Sequence, residues 1–257
     1  MLGAIVGDIA GSVYEHRPIK KEDIDLFPPG CTYTDDTVLT VAVADCILNE
    51  GSYSDYYLKY ARQYPDAGYG RIFKLWVKYE GRRIINSLGN GSAMRVSPIG
   101  WACEDVKNVI EEAEKSAQST HAHIEGVKGA QAVALAVFFA KKGSSKEHIK
   151  CEIERRFGYD LSRKLDLIRP SYKFDPTCPG SVPEALIAFL ESENFEDALK
   201  KAISLGGDAD TQAAIAGAVA HAHYGGIPEE MTKKACSLLP QAFLDVIDAF
   251  VERYDVF

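Results

Sequence analysis

Apolar positions along the chain recur at helical spacing almost everywhere, and no segment sustains the alternation of a half-buried strand. Leu2 to Tyr14 reads as a small-residue helix. Its glycines at 3, 7 and 11 recur every four residues, so one face can accept another backbone at close range. Val38 to Leu48 is apolar on nearly all sides, as expected of a helix at the centre of a bundle. Tyr53 to Gln63 and Arg71 to Tyr79 are amphipathic. Asp105 to Ala117 carries acids and lysines on its outer face. Ile124 to Lys142 is long and Ala/Val-rich, and Lys146 to Phe157 is charged. Val182 to Leu190, Phe195 to Leu205, Ala213 to Tyr224, Glu229 to Leu238 and Ala242 to Tyr254 complete the series. The longest irregular piece, Arg169 to Gly180, contains three prolines. The expected class is all-α, with residues 1–257 forming one compact multi-helix domain, because no linker or charge block divides the chain.

Composition narrows the setting. With 46% apolar residues in 257, the chain can bury one large core. A net charge of −8 with no basic run argues against general nucleic-acid or membrane-surface binding. The six cysteines form no CxxC pair, which reads as reduced thiols in a cytoplasmic protein without a zinc site. The apolar N-terminus lacks a basic region and carries Asp8 in its middle, so it does not read as a signal peptide. No uncharged apolar run reaches membrane-spanning length.

Two short segments carry the chemistry. Thr34-Asp35-Asp36-Thr37 precedes the buried helix from Val38. Gly206-Gly207-Asp208-Ala209-Asp210-Thr211 precedes the Ala-rich helix from Ala213. Each alone could be an ordinary helix cap. Together they offer more oxygen than capping requires, since one cap needs one side-chain oxygen. Crowded carboxylates raise each other's pKa unless a cation neutralises them. Donors that are all oxygen select Mg²⁺, Mn²⁺ or Ca²⁺ over zinc or copper. Two such clusters could converge on one dinuclear site. Gly89-Asn90-Gly91-Ser92-Ala93-Met94-Arg95 forms a tight turn whose amides could hold phosphate oxygens, or simply a turn leading into a helix. His121, in Ser119-Thr120-His121, is by its position alone a cap or packing residue. His221 and His223 face different sides of one helix and read as structural.

These motifs, in this order from Gly7-Asp8-Ile9-Ala10-Gly11 and Glu15 to the Asp-Ala-Asp-Thr segment, resemble the ADP-ribosylglycohydrolase family end to end. The resemblance implies an all-α fold and two Mg²⁺ or Mn²⁺ ions held by Thr34, Asp35, Asp36, Asp208, Asp210 and Thr211. It implies hydrolysis of an N- or O-glycosidic bond to ADP-ribose on a modified protein or small molecule. Asn90, Gly91, Ser92, Met94 and His121 carry over as ADP-ribose contacts, Ser181 and Val182 lie by implication near the pyrophosphate, and Glu15 faces the substrate side of the metals. Glu15 and Asp36 are the two candidates for the carboxylate that handles the proton. Asp8, in mid-helix, is expected to brace backbone around the site. The alternatives are an ADP-ribose-binding module without catalysis, or a structural relative that has lost its chemistry. The chain is short for the family, which implies trimmed surface loops.

Overall fold

The computed structural model describes residues 1–256 and contains fourteen α-helices, a single 3-10 turn at Asn90–Ser92, and no strand among those residues. The expected boundary at 257 lies one residue outside the described chain. The buried apolar side chains form one continuous cluster drawn from nearly every helix. No described helix is long and apolar enough to cross a membrane, and all six cysteines are free.

Three helices form the centre: α2 (Asp35–Leu48), α7 (Ile124–Lys141) and α12 (Ala209–Tyr224). Each is apolar around most of its circumference because each is covered on most sides. α1 (Leu2–Glu15) lies antiparallel on α12. The glycine stripe makes this possible: a Cβ on Gly7 would sit 2.1 Å from the Ala213 carbonyl oxygen, with similar clashes for Gly3 against Gly217 and Gly11 against Ala209. The antiparallel register carries the end of α1, and with it Glu15, to the start of α12. His221 closes the other end, where its Nδ1 accepts the Gly3 amide, in keeping with its structural reading.

Outside this centre, α3 (Tyr53–Gln63) and α14 (Gln241–Tyr254) flank α2, and α4 (Arg71–Lys78) packs against α3. α5 (Ser97–Ala102) and α6 (Val106–Gln118) pack on α7. α8 (Lys146–Phe157) and the single turn α9 (Leu165–Ile168) lead to α10 (Cys178–Glu191), α11 (Phe195–Ile203) and, after α12, α13 (Glu229–Cys236).

Helix starts differ from the sequence expectation in a consistent way. α2 begins at Asp35 with Thr34 as its cap, and α12 begins at Ala209, so the acidic segments are first turns rather than preceding loops. α10 begins at Cys178, not Val182. Thr177 caps it by accepting the Gly180 amide, and Pro179 fits a first turn, where its missing N–H is no loss. The loop before α10 pairs with the loop before the 3-10 turn: Asn90 N donates to Pro176 O at 2.8 Å and Cys178 N to Leu88 O at 2.9 Å.

Candidate active site

The N-termini of α2 and α12 meet beside the C-terminal half of α1, at the floor of a cavity of about 730 Å³. Their positive dipole ends favour anionic side chains there. Asp8 fixes the geometry. Its carboxylate accepts the Thr34 amide and hydroxyl at 2.9 and 2.7 Å, and the amide and hydroxyl of Thr37. Three of those bonds fall on Oδ2 and one on Oδ1, so Asp8 braces α2, as its mid-helix position suggested, and Oδ1 can still accept.

Capping at α2 is satisfied by Thr34 alone, whose hydroxyl oxygen accepts the Asp36 amide at 3.2 Å. The carboxylates of Asp35 and Asp36 are left over. Asp36 is 3% exposed and its Oδ1 has no hydrogen-bond partner, while Oδ2 accepts only the Thr211 hydroxyl at 3.4 Å. Across from it, Asp210 Oδ1 accepts the Thr211 amide at 2.9 Å, and Asp208 Oδ2 accepts Asn90 Nδ2 at 2.7 Å. Asp35 is half-buried and faces Gly68.

Two carboxylate groups emerge, each with one oxygen per residue within 4.8 Å of the others: Asp8, Asp36 and Asp210, and Glu15, Asp208 and Asp210. Asp210 belongs to both. Among the described residues no lysine or arginine forms an ion pair with these acids; only His16 stands 3.6 Å from Glu15. Burial raises every one of them. It carries Asp35 to about 7, with the Asp8 charge adding to it. It lifts Asp36 well above its ordinary value, helped by Asp8 and Asp35, and lifts Asp210 likewise, helped by Asp36 and Asp208. Glu15 is raised by partial burial and by Asp208, with His16 opposing. An orphaned, buried carboxylate oxygen is expensive unless something positive covers it. With no basic side chain to do so, the donor set fits hard divalent cations.

The cavity wall holds some of the expected contacts and not others. Asn90, Gly91, Met94 and His121 line it. Ser92 is fully buried and turns away, donating to Gly126 O at 2.7 Å. Ser181 is also fully buried; its hydroxyl donates to Thr177 O at 2.6 Å and accepts Asn90 Nδ2 at 3.1 Å. Val182 is core. The side chains of these three residues support the wall from behind. Asn90 points its amide at Asp208, so it orients a floor carboxylate as well as lining the cavity.

One stretch of the wall is absent from the sequence reading: Gly68, Gly70, Arg71, Ile72 and Phe73, facing Phe174, Pro176 and Thr177. Ile72 and Phe174 are 54% and 53% exposed on the rim, apolar surface that a ligand can cover. Gly68-Tyr69-Gly70 between two helices was the available signal, as a turn with unobstructed amides.

Comparison with known proteins identifies the family. The family model for ADP-ribosylglycohydrolase matches residues 1–256. The chain belongs to this family. Bovine (Bos taurus) ADP-ribosylhydrolase ARH3 is 30% identical, over 88% of this chain and 84% of that protein. ADP-ribosylarginine hydrolase Tri1 of Pseudomonas putida is 27% identical, over 91% of this chain and 72% of its own length. A solved structure described as an ADP-ribosylglycohydrolase-related protein complex superposes with a TM-score of 0.65 at 28% identity, covering 92% of this chain and 95% of its own.

Proposed function

We propose that the protein hydrolyses a glycosidic bond to ADP-ribose, releasing ADP-ribose from a modified protein or small molecule, with two Mg²⁺ or Mn²⁺ ions at the cavity floor. The observation that carries this reading is Asp210, which contributes to both carboxylate groups beneath a cavity large enough for a nucleotide-sized ligand. Thr34, Asp35, Asp36, Asp208, Asp210 and Thr211 would hold the ions. Bound there, the ions would neutralise the acids and orient ribose hydroxyl oxygens.

The remaining work belongs to the chain's own side chains. Breaking the bond at the ribose anomeric carbon builds positive charge on the sugar ring, which the acidic floor favours. A carboxyl group must also give a proton to the leaving group or take one from water. Glu15 suits this better than Asp36. It is half-buried rather than enclosed, lies at the open side of the floor, and its raised pKa favours holding a proton until one is needed. Asp36, enclosed beneath Thr211, suits ion binding. The wall from Gly68 to Phe73 and from Asn90 to Met94 supplies contacts that position the rest of ADP-ribose.

The test is a panel of substrates linking ADP-ribose to arginine, serine, a nucleobase, acetate or a second ADP-ribose, with and without Mg²⁺, following free ADP-ribose. Mg²⁺-dependent release from at least one linkage is expected. Tight ADP-ribose binding with no release from any linkage would instead mark a binding module.

A further inference from the structure

Arg95 is fully buried, and among the described residues no carboxylate reaches ion-pair distance of it, though the Asp35 charge acts on it from further off. Its Nη2 donates to Ser116 O at 3.0 Å and to Thr120 Oγ1 at 2.7 Å, while its guanidinium carbon stands 3.9 Å from the centre of the Tyr57 ring. Nε and Nη1 have no partner. A buried cation held this way is expensive, and helix packing alone would be served better by a neutral side chain. The Thr120 hydroxyl lies 2.8 Å from His121 Nδ1, so arginine, threonine and histidine form a chain along the cavity wall.

The chain has a direction. Arginine only donates, so Thr120 Oγ1 is the acceptor of the Arg95 bond. The one acceptor within hydrogen-bond distance of the Thr120 hydroxyl hydrogen among the described residues is His121 Nδ1, which directs the second bond from Oγ1 to Nδ1. Nδ1 must be unprotonated to accept it. Burial, with the Arg95 charge second, holds His121 well below the usual histidine range, so the ring is neutral; with Nδ1 accepting from Thr120, its single proton belongs on Nε2. Nε2 faces Gly91, where an added Cβ would approach to 3.1 Å. The backbone keeps the ring there: His121 N donates to Ala117 O at 2.7 Å and Ala122 N to Ile85 O at 2.9 Å.

We propose that Arg95, acting through the Thr120 hydroxyl, is a positioning residue that locks His121 in the tautomer presenting Nε2–H to the cavity, as a fixed hydrogen-bond donor to an oxygen of the ADP-ribose moiety. The ligand identity rests on the proposed function; the tautomer does not. A donor fixed before binding loses nothing to reorientation when the ligand arrives. It also leaves His121 without a part in proton transfer, which concentrates that role on the carboxylates.

Replacing Arg95 outright puts the fold at risk, so the test uses Thr120. Long-range ¹H–¹⁵N spectra of the Mg²⁺-loaded protein, with the His121 signals assigned by loss in His121→Gln, report which ring nitrogen is protonated. Wild type is expected to show protonated Nε2 and bare Nδ1. Thr120→Val should give mixed tautomers and weaken ADP-ribose binding by calorimetry roughly tenfold, the scale of one hydrogen bond. In an active enzyme KM should rise with kcat unchanged. Thr120→Ser should restore both the tautomer and the affinity. Protonated Nδ1 in the wild type, wild-type affinity or tautomer in Thr120→Val, or failure of Thr120→Ser to restore them would overturn the proposal. Because the tautomer is read without substrate, a wild type that releases no ADP-ribose would remove the proposed hydrolysis and leave this result standing.

Discussion

Asp8 on α1 accepts both the amide and the hydroxyl of Thr37 on α2, and so ties the glycine-striped helix to the start of the central one. With Thr34 held the same way, the first turn of α2 is anchored from one carboxylate. In Asp8→Asn, one oxygen becomes an NH₂ that faces donors. Leaving buried donors unmatched should destabilise the fold by about 1–3 kcal/mol, measurable by urea denaturation, and should also weaken Mg²⁺ binding. A variant as stable as wild type would mean that Asp8 does not brace α2.

Because Asp210 contributes to both carboxylate groups, Asp210→Asn should abolish more of the metal response than Asp35→Asn. In wild type, Mg²⁺ at a hundredfold excess over its dissociation constant should stabilise the fold by about 2.7 kcal/mol. Thermal melts across a Mg²⁺ titration check this. Equal losses in the two variants would count against a shared ligand.

The raised acids predict an inverted pH dependence in metal-free protein. A carboxyl whose folded pKa lies above its unfolded value binds more protons when folded, so stability falls as pH rises through the interval between the two. For Asp35 that interval runs from 3.8 to about 7. The EDTA-treated protein should therefore melt higher at pH 5 than at pH 8. Mg²⁺ should reduce or reverse the trend, since ion binding needs the charged forms. A metal-free melting temperature that climbs steadily toward pH 8 would contradict the crowding described here.

Glu15→Gln should preserve folding and ADP-ribose binding and lower turnover by ~10²-fold or more, the usual scale for a lost proton-transfer group. Single-turnover assays on whichever linkage proves labile decide it. If that variant is as active as wild type, the proton passes through another carboxylate.

Gly91→Val should crowd His121, because even a Cβ at this position lies 3.1 Å from Nε2. ADP-ribose affinity should fall while the Mg²⁺-dependent rise in melting temperature stays intact. Full affinity by titration calorimetry would remove this turn from the binding surface.

What the sequence reveals and what it withholds follow a physical division. Glycines 3, 7 and 11 announce a close helix contact because four-residue spacing defines a helix face, and the structure supplies α12 as the partner. The two acidic segments were legible because their oxygens outnumber what capping uses, and Thr34 alone indeed suffices at α2. Asn90 and Ser92 stand two residues apart in one turn, yet one addresses Asp208 and the other Gly126. Nothing local separates them, because their partners come from distant parts of the chain. The cavity wall at Gly68–Phe73 was missed for a related reason. Its role depends on Phe174 and Pro176 standing opposite, and no periodic pattern encodes that pairing. The start of α10 lies earlier than expected because the three prolines make Arg169 to Gly180 read as irregular, while Thr177 caps a first turn that tolerates Pro179 and Gly180.

The antiparallel contact between α1 and α12 also sets an order of events during synthesis. α1 leaves the ribosome well before its partner surface, residues 209 to 224, has been made. Until then its apolar face has no permanent cover, and the nascent chain must keep it from other associations. Closing so long a loop is slow, because its entropy is lost before the contact rewards it. The carboxylate floor draws on the same two distant stretches, with Asp8, Glu15 and Asp36 from one and Asp208 and Asp210 from the other. Any Mg²⁺-dependent rise in melting temperature is therefore expected only once the fold closes, and a chain cut before Asp208 should show none.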